Sequence, residues 1–165
     1  RGMLPLDGKI YLFGADGSMQ FGFYADPAAG TRYFKEDGSM AANELLTIQN
    51  AKYYFMPDGL MATGLMAVAG KQYLFGADGK MQYGWFTDAA GMRYFTGDGS
   101  MAVNTTLEID GVLYRFDANG IATAVPVVDP SAWVTDPATG VTVDTVTGQI
   151  VDPAIVAQAM AGQVQ

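Results

Sequence analysis

The 165 residues contain neither histidine nor cysteine. Ser-His-Asp and Cys-His nucleophilic arrangements therefore cannot be built, and His/Cys zinc sites are excluded. The lack of cysteine is compatible with an extracellular bacterial protein. Positive charge is scarce: nine Lys and Arg stand against 17 Asp and Glu, a net charge of -8, with no basic patch along the chain. The counterion release that drives nucleic-acid binding has little to act on, and anionic membrane surfaces are disfavoured. No run of about 18 apolar residues occurs, so no membrane span is expected. The chain starts at Arg1 without an initiator Met or the regions of a signal peptide, and reads as a fragment or processed product of something longer.

What is abundant is glycine, 21 residues, beside 18 Tyr and Phe. Turn glycines beside packing aromatics suit short hairpins. Six copies of one phrase carry them, best seen in Gly70-Lys-Gln-Tyr-Leu-Phe-Gly-Ala-Asp-Gly-Lys-Met81. Phe13, Phe34, Phe55, Phe75, Phe95 and Phe116 are equivalent, and Gly17, Gly38, Gly59, Gly79, Gly99 and Gly120 repeat the spacing of about 20 residues. Each of these glycines follows an Asp, or Asn119 in the last copy. The phrase predicts a strand ending at Tyr73 and Phe75, a tight turn at Asp78-Gly79 and a return through Met81. One such hairpin is too small to stand alone, so neighbours must cover its apolar face. Met19, Met40, Met61, Met81 and Met101 recur after the turn and read as core filler.

A second order lies above the first. Gly8 to Tyr24 matches Gly70 to Phe86 at 12 of 17 positions, and Gly30 to Asn43 matches Gly91 to Asn104 at 10 of 14. Three copies were therefore duplicated together, and any special feature of the trio should occur twice. The domain reading is an array over 6-125 and a tail over 126-165. The tail is rich in Val, Thr, Asp and Pro, with Asp129, Asp136, Asp144 and Asp152 spaced by 7, 8 and 8 and with Gly140 and Gly148 between. It reads either as short strands and turns or as extended linker. Asp152-Pro153 is a helix-start signal, and Ile155, Val156, Ala159 and Met160 would make one face of a short C-terminal helix.

The carboxylates Asp16, Asp37, Asp58, Asp78 and Asp98 all sit in the repeated turn, where local hydrogen bonding is their role. Copying a catalytic acid five times has no mechanistic purpose. Gly14-Ala-Asp-Gly17 has neither the Lys-Ser/Thr ending of a phosphate loop nor the alternating acids of a calcium loop. No catalytic residue, metal ligand or cofactor is assigned, and an enzyme is not expected.

The pattern Gly-Lys-x-Tyr-x-Phe-x-x-Asp-Gly-x-Met resembles the cell-wall-binding or choline-binding repeats of Gram-positive surface proteins. It is also similar to the glucan-binding repeats of glucosyltransferases and the repetitive oligopeptides of clostridial toxins. Met19-Gln-Phe-Gly-Phe-Tyr24 and Met81-Gln-Tyr-Gly-Trp-Phe86, each followed by Gly-x-Arg-Tyr-Phe, are nearest to the longer toxin-type repeat. The resemblance covers about Leu6 to Val125. It implies an all-β solenoid of stacked hairpins with ligands in grooves between them, and in choline-binding members an aromatic cage around a quaternary ammonium.

Two cage positions can be checked. The residue after the glycine that follows the Met reads Phe23, Glu44, Leu65, Trp85, Thr105 and Pro126; the residue three before the core Phe reads Ile10, Thr31, Lys52, Gln72, Met92 and Leu113. Aromatics occupy the first position only in copies one and four and never the second, so a complete choline cage is not expected. One aromatic junction per trio remains: Phe23 and Tyr24 facing Arg32 and Tyr33, and Trp85 and Phe86 facing Arg93 and Tyr94. Flat rings beside an Arg donor suit a sugar; the competing role for the same rings is packing one hairpin on the next.

The expected function is a noncatalytic module that anchors a larger secreted protein to a glycan or wall polymer, whether teichoic acid, glucan or host glycan. A structural spacer that self-associates through terminal hairpins or tail is the reading from another class, and a segment of a toxin or adhesin that binds a host glycan receptor is a third.

Overall fold

A computed structural model describes residues 2–125, 133–145, 150–154, 156 and 157. Asp129, Gly148, Ile155, Ala159, Met160 and Pro126, which the sequence reading used, lie outside the described residues.

The chain is almost entirely strand and turn. In order come β1 Gly2–Leu6, β2 Lys9–Phe13, β3 Met19–Gln20, β4 Gly22–Asp26, β5 Gly30–Phe34, β6 Glu44–Ile48 and β7 Ala51–Phe55. These are followed by β8 Gly64–Val68, β9 Lys71–Phe75, β10 Gly84–Asp88, β11 Gly91–Phe95, β12 Thr105–Ile109, β13 Val112–Phe116 and β14 Ala122–Ala124, then by β15 Trp133–Thr135 and β16 Thr142–Asp144. The expected all-β array of six hairpins is present: β1 with β2, β4 with β5, β6 with β7, β8 with β9, β10 with β11 and β12 with β13.

The hairpins are not folded where the phrase predicts. The five-pair ladder joins β8 to β9, from Gly64 opposite Phe75 to Val68 opposite Lys71, and so lies before the Asp78-Gly79 turn. After that turn the chain pairs back only once, Met81 with Phe75. The reason is a commitment to the preceding copy: Met81 N–H donates to Lys52 C=O at 2.8 Å. The same bond recurs from Met40 to Ile10, from Met61 to Thr31 and from Met101 to Gln72. In copies two to five one such hydrogen bond stitches the return segment to the preceding copy, which is how units too small to fold alone support one another.

The two kinds of turn divide accordingly. The hairpin turns Asp7-Gly8, Gln49-Asn50 and Ala69-Gly70 hold both central residues at positive φ, the mirror-image form whose twist fits a two-residue hairpin. At the Asp-Gly turns only the glycine is left-handed: Gly79 N–H closes a bond to Gly76 C=O at 2.9 Å and Gly76 N–H bonds Lys80 C=O at 2.8 Å. This is a glycine-bulge turn. Its Asp works through the carboxylate, accepting from the backbone N–H two residues on, as Asp58 does from Leu60 at 3.0 Å.

Phe34, Phe55, Phe75, Phe95 and Phe116 are fully buried and form the spine of the core. Each such ring contributes about 1.5–3 kcal/mol by leaving water. The methionines complete it: Met19 packs against the turn glycine Gly38 of the next copy, Met40 against Gly59, Met61 against Gly79, Met81 against Gly99 and Met101 against Gly120.

By contact density the chain divides into two units, Arg1–Leu107 with Arg115–Thr123, and Glu108–Tyr114 with Ala124–Gln165. In the second, β15 pairs with β16, the Thr135 and Thr142 hydroxyls meet at 2.8 Å, and Ile150 bridges Val143. The expected helix start is present as Pro153, Ala154, Val156 and Ala157, with the Asp152 carboxylate accepting from Ala154 N–H at 2.7 Å.

Candidate functional site

The paired strands bring the eight expected residues together two by two. Phe23 stands opposite Tyr33 and Tyr24 opposite Arg32; in the second trio Trp85 stands opposite Tyr94 and Phe86 opposite Arg93. Because side chains alternate along a strand, these pairs fall on opposite faces of each ribbon. The rings Phe23 and Tyr33, or Trp85 and Tyr94, share one face; the arginines share the other with Tyr24 or Phe86.

The arginines are held by their own loops. Arg32 Nη1 lies 2.8 Å from Asp26 Oδ2, with side chains 13% and 17% exposed. Asp26 also accepts from Ala28 N–H at 3.0 Å, so the pair ties down the Pro27-Ala28-Ala29 loop. Arg93 pairs with Asp88 and donates from Nε to Asn119 C=O at 3.4 Å. Hydrogen bonds from Ala90 N–H, and then from Arg93, hold the Asp88 carboxyl below the usual carboxylate range. Each guanidinium thus lies on the face of Tyr24 or Phe86, on the opposite side of the ribbon from Phe23 and Tyr33 or from Trp85 and Tyr94, and is engaged by the Asp26 or Asp88 carboxylate.

The ring faces gather partners from the next copy. Phe23, 47% exposed, makes edge contacts with Tyr33 at 4.9 Å and with Tyr53 of the following hairpin at 5.2 Å between centroids. Trp85 meets Tyr94 edge-on at 5.0 Å and stacks on Phe116 at 6.2 Å. Tyr53 and Phe116 were not assigned from sequence; their signal is their fixed place in the second strand of the next hairpin. On the reverse face Tyr24 packs on Phe34 and Phe86 on Phe95, both at 6.4 Å and edge-on, so these two rings serve the core.

The cage alignment also shifts. Leu45, opposite Tyr54, occupies the place of Phe23 and Trp85, not Glu44. The extra residue is Asn43, held at φ 51° with its side chain accepting from the Tyr54 hydroxyl at 2.9 Å; Asn104 repeats it at φ 47°. The position is thus apolar on the third and fourth hairpins as well, through Leu45 and Leu65, each about half exposed.

Among the described residues no cluster of acidic side chains is placed to hold a metal ion. Among the described residues of the first unit, the cavities include these two. One, of about 670 Å³, is bordered by Lys71, Gln72, Arg93, Thr96, Ser100 and Asn119 among others. The other, of about 560 Å³, is lined by Tyr83, Trp85 and Phe86 with Gln82, Phe75 and Gly76 among others.

Residues 62–106 match the sequence model of the choline-binding repeat. No curated protein matches the sequence. The fold is similar to choline binding protein F from Streptococcus pneumoniae, solved in the presence of a peptidoglycan analogue, with TM-score 0.67 and 23% identity over 92% of this chain and 47% of that one. It is similar to the choline-binding domain of CbpL from the same organism, with TM-score 0.58 and 26% identity over 91% of this chain and 76% of that one. The modular autolysin LytC of Streptococcus pneumoniae, solved with a synthetic peptidoglycan ligand, matches with TM-score 0.62 and 22% identity over 86% of this chain and 36% of that one. The chain spans about half the length of the choline binding protein F structures. The resemblance read from the repeats is met by the family model over residues 62–106, and the fold is similar to that of choline-binding proteins.

Proposed function

We propose that this chain is a noncatalytic module that holds a larger extracellular protein on a wall polymer or glucan of a Gram-positive cell surface. The observation that carries the reading is the three-ring cluster of Phe23, Tyr33 and Tyr53, built from two hairpins, whose first ring stays 47% exposed. Its counterpart around Trp85 sits one trio later, where the internal duplication requires it. An open aromatic face with no catalytic group beside it binds rather than transforms, through C–H faces of a sugar or a cationic head group. Support comes from relatives of the same fold that were solved with peptidoglycan analogues.

The test is retention of the purified chain on cell walls with and without choline-bearing teichoic acid, and on insoluble glucan. Retention on at least one is expected, and Phe23→Ala with Trp85→Ala should weaken it by about 3- to 10-fold while the urea midpoint stays within the folded range. No retention on any of these surfaces overturns the reading.

A second reading, assembly with other copies, rests on Met3, Leu4 and Leu6 of the first hairpin, all more than a third exposed. Light scattering distinguishes it: concentration-dependent oligomers without ligand favour assembly, and a constant monomer mass removes it.

A further inference from the structure

The second trio also carries an aromatic cleft that shares Trp85 with its ring cluster. This is the cavity of about 560 Å³ that Phe75, Gly76, Gln82, Tyr83, Trp85 and Phe86 line between one hairpin and the next. The same six positions in the first trio are Phe13, Gly14, Gln20, Phe21, Phe23 and Tyr24.

Comparison among the copies shows that the cleft is made by residues that change together. After the Met, copies two, three and five have Ala41, Ala62 and Ala102, all buried, and the turn opens with Lys35, Met56 or Thr96. There a small side chain closes the junction. Copies one and four have Gln20 and Gln82 instead, and the turn opens with Gly14 or Gly76. The glycine and the glutamine lie against each other: a Cβ at Gly14 would stand 2.9 Å from Gln20 Nε2 and 3.0 Å from Asp16 Oδ1, and one at Gly76 would stand 3.0 Å from Gln82 Nε2 and 2.9 Å from Asp78 Oδ1. The next residue changes with them, to Phe21 and Tyr83 where the closed copies have Ala42, Thr63 and Val103. Phe21 is 58% exposed and Tyr83 48%. A half-exposed ring, a polar amide and a bare glycine stabilise the junction less than the buried alanine of the other copies does, so packing does not account for the set.

Ligand chemistry follows from the lining. None of the residues around the cleft is charged, and the nearby Asp78 and Lys80 neutralise each other at 2.9 Å. Recognition of a cation or an anion has no partner here. The polar group on offer is the Gln82 amide, oriented by donation from Nε2 to Lys80 C=O at 2.9 Å, with Oε1 left to accept; Gln20 is oriented likewise by Ser18 Oγ at 2.8 Å. Aromatic walls with a few placed amides in a cleft of this size suit a small neutral polyol. We propose that the cleft at Gln82 and Tyr83, and its counterpart at Gln20 and Phe21, each bind one uncharged hexopyranose ring of a polysaccharide. The sugar's C–H face lies on Tyr83 or Phe21, and its hydroxyls donate to the Gln amide. This rests on the glycan-binding reading above and adds to it a subsite that shares Trp85 with the ring cluster, is distinguished from it by Gln82 and Tyr83, and selects neutral sugar.

The experiment is calorimetric titration of the full chain with neutral oligosaccharides of α- and β-linked glucose, followed in parallel by tryptophan fluorescence, since Trp85 lines the cleft. Binding of at least one series is expected, and Phe21→Ala with Tyr83→Ala should weaken it by about tenfold or more. Gln20→Ala with Gln82→Ala, at exposed positions where folding is not at stake, should weaken it by about 3- to 10-fold. Retention on walls with no oligosaccharide binding overturns the cleft and leaves the wall-binding reading standing. Oligosaccharide binding unaffected by the glutamine variants also overturns it. Loss of all retention on walls and glucans falls on the underlying reading.

Discussion

The turn glycines answer to two constraints at once. Gly79 sits at φ 77°, and a Cβ there would enter the space of the Met61 side chain from the preceding copy. Gly79→Ala should therefore lower stability by about 2–4 kcal/mol, the sum of left-handed strain and overpacking. Urea denaturation measures it, and Met61→Ala in the same chain should return part of the loss, because the steric half of the cost then vanishes. Neighbouring residues set the acid response. The Asp98 carboxyl is held far below the usual carboxylate range by donation from the Ser100 hydroxyl, then the Thr96 hydroxyl, the Ser100 N–H and Lys71; Asp37 is held likewise by the Ser39 hydroxyl and N–H, then Lys9. A carboxyl depressed on folding contributes above its unfolded value, and the unfolded chain takes up the proton first as pH drops. Stability should hold at neutral pH and fall as pH decreases below about 4. Unfolding midpoints measured from pH 6 to pH 2.5 check this, and Ser39→Ala with Ser100→Ala should flatten the slope.

At the scale of the element, the hairpin turn matters more than the Asp-Gly turn that dominates the sequence. Ala69 occupies a left-handed position at φ 49° in the turn between β8 and β9, where the equivalent residues are Asp7 and Asp110. A side chain that tolerates this region should relieve strain, so Ala69→Asn should raise stability by about 0.5–1 kcal/mol, read as a higher urea midpoint at unchanged slope. The hairpin also explains why the candidate site residues separate. With period two fixed by the strand, neighbours in sequence such as Trp85 and Phe86 must serve different faces: one turns to Tyr94 and Phe116, the other to the core at Phe95. Arg93 goes with the second and clamps its loop through Asp88.

At the scale of the whole molecule, stability is shared between neighbours along the array. Phe55 is buried on all sides between copies, whereas Phe13 of the first hairpin remains partly accessible. Phe55→Ala should cost about 3–5 kcal/mol and Phe13→Ala distinctly less, a difference that urea unfolding of the two variants resolves. Equal losses would mean that position along the array does not matter. The internal duplication has its structural counterpart at this scale too, since the aromatic junction of Phe23 with Tyr33 recurs as that of Trp85 with Tyr94.

Much of this was legible in the sequence because it depends on spacing alone. Six copies, the duplicated trio and the all-β class follow from a period of about 20 and the two-residue repeat of a strand, whereas the register that sets Phe23 opposite Tyr33 and Trp85 opposite Tyr94 came from the structure. The absence of histidine and cysteine likewise closed off whole classes of chemistry without any coordinates. What only the tertiary structure decided depends on contacts between copies. It placed the ladder before the Asp-Gly turn, because the return segment is taken by a bond such as Met81 to Lys52. It put Leu45 in the ring position, because Asn43 absorbs an extra residue in a left-handed bend. And it turned Arg32 and Arg93 toward their own loops, because a nearby carboxylate on the same ribbon holds a guanidinium more firmly than open solvent does.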